Sequence, residues 1–290
     1  MRREDYPPQE ALSEAGEAYG TECWRRSASI SCEEFAYGSD PYQRLLVASP
    51  ERPDGRVLLF WHGGGWTSGY KEWMAFMAPA FTAAGVTFVT AGYRLAPQHV
   101  FPAGVEDCVR AIEWVRHNIA RCGGSADALF IGGHSAGGHY AALIAVDPQW
   151  TQDIGAPRDL FRGCLTISAV FEFGAGSGLS IRPRFLGADA ENDARASPRS
   201  GLRGVPPPFL IAYGTRDFPH LITQGARFVQ TLRAIPAEVE ELPLVDRTHF
   251  TASYAGGEAE GPWVPRALAF MGKHRGSQGL RNSRLHEAQR

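Results

Sequence analysis

Apolar runs and helical patterns take turns along the chain from about residue 42 onward. Short runs rich in β-branched and aromatic residues predict strands at Tyr42 to Val47, Val57 to Trp61, Val86 to Ala91, Ala128 to Ile131, Cys164 to Val170, Phe209 to Tyr213 and Ala237 to Leu242. Between them the spacing predicts helices at Glu72 to Ala84, Val105 to Ala120, Ala136 to Val146, His220 to Ala234 and Pro262 to Lys273. That alternation implies an α/β class, with a mostly parallel central sheet and helices on both faces. One connection breaks the rhythm. About residues 172 to 207 carry glycines, prolines, Arg182, Arg184 and Arg195 with little periodicity, and so long an excursion is expected to form a small cap over a site. The first 35 residues, with Trp24 and Phe35, are expected to pack across its mouth. Residues 276 to 290 are polar and poor in large apolar side chains, so they are expected to be a disordered tail behind a single domain spanning 1 to 275.

Bulk properties narrow the classes. With 290 residues, 44% of them hydrophobic, the chain suits one α/β domain with a large core. A net charge of −2, with both signs spread along the chain, gives no electrostatic footprint for nucleic acid. Met1 to Pro8 runs into polar residues and not an apolar core segment, so no secretory signal is expected there; no apolar run reaches the ~18 residues of a membrane span. Cys23, Cys32, Cys108, Cys122 and Cys164 lack C-x-x-C or Cys/His spacing, which points to reduced thiols in a cytoplasmic protein and to no bound metal.

The chemistry starts where a predicted strand meets a predicted helix. Gly133-His134-Ser135-Ala136-Gly137 fills G-x-S-x-G between the run ending at Ile131 and the helix from Ala136. The neighbouring glycines fit neither G-x-G-x-x-G nor a P-loop. A serine on so abrupt a bend, flanked by residues without bulk, is a candidate nucleophile. The bland alternative is a small serine in a tight turn. Directly after another strand comes His62-Gly63-Gly64-Gly65-Trp66. Acyl transfer builds negative charge on a carbonyl oxygen, and the amides of Gly64, Gly65 and Ala136 are candidates to receive it. A serine hydroxyl also needs a base, and the base an orienting acid; in the fold to which a G-x-S-x-G elbow belongs the chain order is serine, acid, histidine. Asp217 follows the strand Phe209 to Tyr213, and His249 lies in the loop beyond the last strand. His220, Asp246, His139 and His62 are rivals, read respectively as a helix-start or surface residue, a strand-end residue, packing behind the bend, and a brace for its own loop.

The motifs resemble the α/β-hydrolase superfamily over roughly residues 37 to 272, and two of its branches share them. H-G-G-G at 62 to 65, Tyr93-Arg94-Leu95-Ala96-Pro97, Phe101-Pro102-Ala103 and Glu106-Asp107 resemble carboxylesterases of the hormone-sensitive-lipase type, which usually have aspartate where His134 stands and D-P-x-x-D where this chain reads G-T-R-D-F-P. H-G-G-x-W at 62 to 66, Ser68-Gly69, Ala75-Phe76-Met77, G-H-S-A-G-x-H at 133 to 139, Ser197-Pro198 and Asp246 to Phe250 resemble the kynurenine formamidase (arylformamidase) type. The resemblance implies a Ser135, Asp217, His249 triad and no cofactor. It implies a small-molecule substrate, a small-acyl ester or aryl formamide, with the formamidase type as the first reading and the esterase type as the alternative. Trp66, His134, Arg182 and Phe250 are candidate substrate contacts, Arg182 (with Arg184) for a carboxylate. A non-catalytic small-molecule-binding protein on the same fold is the remote alternative. Oligomeric state stays open, with an exposed carboxy-terminal helix or edge strand as the place for a homodimer contact.

Overall fold

The computed structural model describes residues 2–179 and 181–275, so the stretch expected to be a disordered tail lies outside the described residues. The strands are β1 (Glu33–Ala36), β2 (Arg44–Ala48), β3 (Gly55–Trp61), β4 (Thr87–Ala91), β5 (Gly124–His134), β6 (Phe161–Ile167), β7 (Phe209–Arg216) and β8 (Val239–Thr248). They form an 8-stranded sheet in the order β1, β2, β4, β3, β5, β6, β7, β8. The β1–β2 and β2–β4 pairs are antiparallel and the remaining pairs parallel. The mostly parallel α/β sheet expected from the sequence is therefore what this chain forms.

The central strands read as continuous apolar runs because helices cover both faces. Val57 to Trp61 of β3 are all fully buried, as are Leu129, Phe130 and Ile131 of β5. In chain order the α-helices are α1 (Glu14–Ser27), α2 (Ala78–Thr82), α3 (Ala103–Asn118), α4 (Ala136–Val146), α5 (Asn192–Arg195), α6 (Pro198–Gly201), α7 (Pro219–Arg233), α8 (His249–Tyr254) and α9 (Val264–Lys273). Every residue of α4 is buried, the pattern of a helix enclosed on all sides. Parallel strands send their carboxyl ends to one edge of the sheet. The loops after β3, β5, β7 and β8 consequently meet there.

Departures from the sequence reading have local causes. The helix predicted at Glu72 to Ala84 is a 3-10 turn, Lys71–Met77, followed by the short α2. Pro79 is the second residue of α2, a first-turn position where its missing N–H is tolerated, whereas it would break a helix running through it. Both α1 and β1 were unexpected. The buried stripe of α1 is Gly16, Tyr19, Gly20, Cys23 and Ser27, correctly spaced for a helix but too small and polar to register as apolar. Strand β1 is a half-exposed edge strand of four residues. On it Phe35 packs against Trp114 of α3, with ring centroids 4.8 Å apart. Trp24 packs on Tyr70.

The amino-terminal arm is tied down ahead of α1. Lys71, 1% exposed, donates to the Tyr6 hydroxyl at 2.5 Å and to Glu72 Oε1 at 2.6 Å, and pairs with Glu34 at 3.0 Å. Gln9 binds the amide and carbonyl of Gly69, at 2.8 and 3.0 Å, and Ser68 Oγ donates to the Glu10 carbonyl at 2.9 Å.

Candidate active site

Strand β5 ends at His134 and α4 begins at Ala136, leaving Ser135 alone on the bend with φ 52° and ψ −117°. Such a conformation costs on the order of 1–3 kcal/mol and persists only where its surroundings enforce it. The enforcement is visible: the Ser135 amide donates to the Ile167 carbonyl of β6 at 2.9 Å, and its carbonyl accepts from the His139 amide at 2.9 Å. A Cβ on Gly133 would strike the backbone of Gly137, and one on Gly137 would strike the Trp61 carbonyl of β3. Strand and helix touch through these glycines.

Facing the bend, His249 Nε2 accepts from Ser135 Oγ at 3.0 Å while its Nδ1 donates to Asp217 Oδ1 at 2.9 Å. The structure thus brings together the three side chains singled out in the sequence. His249 is the first residue of α8. Thr248 caps that helix, its hydroxyl accepting from the Thr251 amide at 3.3 Å and its own amide donating to Thr251 Oγ1 at 2.8 Å, and this reciprocal cap fixes the histidine. The Asp217 side chain is fully buried. Burial favours its neutral form, but the hydrogen bond and charge of His249 and the Phe218 amide hold the carboxyl below its ordinary range. Phe218 donates to Asp217 Oδ1 at 2.7 Å.

The loop after β3 lies against this centre. A Cβ on Gly63 would sit 2.7 Å from His134 Nδ1 and 3.0 Å from Ser135 Cβ. Gly64 and Gly65 have φ of 127° and 61°, and the Thr67 and Ser68 amides close the turn onto the Gly64 carbonyl at 3.2 and 3.0 Å. Among the described residues, the Gly64 and Gly65 amides donate to no other backbone carbonyl. The Ala136 amide, at the first position of α4, has no carbonyl one turn back to bond. His62 braces the loop as expected, with Nδ1 donating to the Gly63 carbonyl at 2.7 Å and its ring stacked on Tyr93, centroids 4.4 Å apart.

Ser135 and His249 open onto a cleft of about 420 Å³, within the range of small-molecule sites. Its walls are largely apolar: Leu12 from the arm, Trp66, Leu179 and Ile181 from the connection after β6, Leu221 of α7, and Phe250. Trp66 also donates Nε1 to His139 Nδ1 at 3.1 Å, and His139 Nε2 donates to the Ala196 carbonyl at 2.6 Å, so His139 ties the connection to α4. His134 borders the cleft with both ring nitrogens engaged. Nε2 donates to the His249 carbonyl at 3.0 Å, and Nδ1 accepts from the Tyr19 hydroxyl at 3.3 Å. Arg182 is a correction. It pairs with Asp193 at 2.7 Å and is absent from the cleft lining, because the turn that starts at Ile181 aims Arg184 toward the cleft instead. Arg184 pairs with Glu10 of the arm and approaches Thr67 Oγ1 at 3.4 Å. His220 lines the rim, stacked on Phe218. Tyr19, not foreseen from the sequence, stands on the buried stripe of α1, and that small-residue periodicity was the signal available for it.

Comparison with known proteins adds the family. A family model described as the alpha/beta hydrolase fold matches residues 58–252. The chain belongs to this α/β-hydrolase family. It is 30% identical over 220 residues to Esterase LipC of Mycobacterium tuberculosis, an overlap of 69% of this chain and 54% of that protein. The chain spans about half the length of that curated relative. Among solved structures, this α/β-hydrolase is similar to EstE1, a thermostable carboxylesterase from a metagenomic library (TM-score 0.71, 21% identity, 92% and 97% of the two chains). It is also similar to Thermogutta terrifontis esterase 2, solved with propionate bound (TM-score 0.63, 25% identity, 75% and 84%).

Proposed function

We propose that this α/β-hydrolase is a serine carboxylesterase that cleaves small-acyl esters through an acyl-enzyme. The single observation that carries the reading is the unbroken relay from Ser135 Oγ through His249 to Asp217, with links of 3.0 and 2.9 Å, at the floor of an apolar cleft. Ser135 Oγ attacks the acyl carbon while its proton passes to His249 Nε2; Asp217 holds the imidazole in the tautomer that can accept it and stabilises the imidazolium. Negative charge on the carbonyl oxygen is received by the amides of Gly64, Gly65 and Ala136. The imidazolium then protonates the leaving alcohol. Water, activated by the same ring, releases the acid and restores Ser135.

The esterase name of the Mycobacterium relative supports the reaction class, and the propionate of the Thermogutta esterase supports a short acyl group. Leu179, Ile181 and the rest of the connection after β6 serve as the cap, with Trp66 and Phe250 as apolar contacts for the substrate. Five free cysteines fit a reducing compartment, and a cytoplasmic location belongs to the proposal. No described helix is long and apolar enough to cross a membrane. An arylformamidase is the second reading, favoured by His134 in the position before the nucleophile and by the Asp246 to Phe250 stretch. The test is a direct comparison of kcat/KM on p-nitrophenyl acetate, p-nitrophenyl butyrate and N-formylkynurenine. The esterase reading expects turnover of the esters to dominate; preferential deformylation replaces it with the second, and no turnover of any ester or formamide overturns both.

A further inference from the structure

Beside the triad lies a second serine with forbidden-looking backbone. Ser168 follows the last residue of β6 and has φ 52°, a left-handed value that a serine adopts only under constraint. It is 1% exposed. Two backbone bonds fix it: the Ile167 carbonyl just before it accepts the Ser135 amide at 2.9 Å, and its own amide donates to the Ala212 carbonyl of β7 at 2.8 Å. The residue therefore bridges the strand tip that presents the nucleophile and the strand that leads to the acid.

Two buried oxygens in this region lack partners among the described residues: Ser168 Oγ and Asp217 Oδ2. One carries a proton to give, the other is an ionised oxygen whose twin, Oδ1, already accepts from His249 and Phe218. A buried carboxylate oxygen without a donor is costly, as is a buried hydroxyl without an acceptor, and rotation of a single serine χ1 addresses both. We infer that Ser168 is a positioning residue for Asp217, its Oγ–H donating to Oδ2 so that the carboxylate stays ionised and keeps Oδ1 aimed at His249 Nδ1. The Ser168 backbone is tied at that point to Ala212 of β7, the strand that ends next to Asp217. Side-chain placement at a special φ, and not space filling, is why a serine occupies a position that glycine would occupy with less strain.

This inference rests on the esterase reading, and the experiment separates the two. Ser168→Gly removes the hydroxyl while relieving the backbone; Ser168→Ala removes the hydroxyl and keeps the strain. Turnover of p-nitrophenyl acetate is measured for both, with wild type and Ser135→Ala alongside, together with the low-field proton resonance of the His249 Nδ1–H. Both Ser168 variants are expected to lose roughly tenfold or more in kcat with KM nearly unchanged, Ser168→Gly while folding at least as stably as wild type, and the low-field resonance is expected to move or broaden. If Ser168→Gly keeps the wild-type kcat and resonance, Ser168 is only a backbone fixture and the inference fails, although the triad stands. A wild-type protein without turnover fails the esterase reading itself.

Discussion

His134 Nε2 donates to the carbonyl oxygen of His249 at 3.0 Å, so the residue before Ser135 holds the backbone of the residue whose ring accepts from the Ser135 hydroxyl. Because that carbonyl can only accept, the His134 proton is on Nε2, and with burial keeping the ring neutral Nδ1 accepts from Tyr19. Tyr19 OH in turn lies 2.9 Å from Ser253 Oγ, giving a directed chain from Ser253 through Tyr19 and His134 to His249. Burial, then the neighbouring His249, pushes the His134 pKa down to about 3. Replacing His134 with alanine empties space in a packed interior and orphans the His249 carbonyl. We expect a loss of about 2–4 kcal/mol in urea unfolding.

Three buried histidines make the fold acid-sensitive. His62 and His139 are pushed by burial to about 4, alongside His134 at about 3, against an ordinary value of 6.5. The unfolded chain binds protons on these rings before the folded one does, so their contribution is present in full above about 6.5 and is lost as the pH falls toward the folded values. Each ring is expected to remove on the order of 1–2 kcal/mol between pH 6.5 and 5. Chemical denaturation across that range measures it, and His139→Gln should flatten the slope.

Gly64 and Gly65 separate backbone geometry from mere flexibility. A Cβ at Gly64 would drive into the Ser68 carbonyl, whereas one at Gly65 meets nothing within 4 Å. Gly64→Ala must therefore distort the loop proposed to offer the oxyanion amides and is expected to lower kcat by about 10²–10³. Gly65→Ala carries only the penalty of its positive φ, about 1 kcal/mol of stability, with a small change in kcat. Steady-state kinetics on both variants distinguish them.

Asp217→Asn keeps the volume of the side chain but leaves His249 Nδ1–H facing an amide that can flip to present a donor. The histidine then favours the wrong tautomer. A fall in kcat of about 10³–10⁴ with little change in KM is expected, the order of effect that loss of the correct tautomer has in a Ser-His-Asp triad.

The parts of this architecture that were legible in the sequence were those with one strong local cause. A strand buried on both faces reads as an apolar run, and α4, buried all round, was placed from Ala136 to Val146 as the structure has it. Ser135, Asp217 and His249 were found because each follows a strand whose carboxyl end lies at the same edge. Features built from small or polar residues were not legible. The stripe of α1 is made of glycine, serine, cysteine and one tyrosine, so Tyr19 and its chain to His134 stayed hidden. Arg182 and Arg184 are two residues apart in a segment without periodicity, and only the turn decides which faces the cleft. Strand β8 runs on through Pro243 to Thr248, past the expected end at Leu242, because Pro243 lies on an edge strand where a missing N–H disturbs no ladder on the open side.

The most direct measurement is intact and peptide mass spectrometry after treatment with a fluorophosphonate. The account predicts one covalent adduct, mapped to Ser135, lost in Ser135→Ala and formed far more slowly in His249→Ala. An adduct on another residue, or equal labelling without His249, contradicts it.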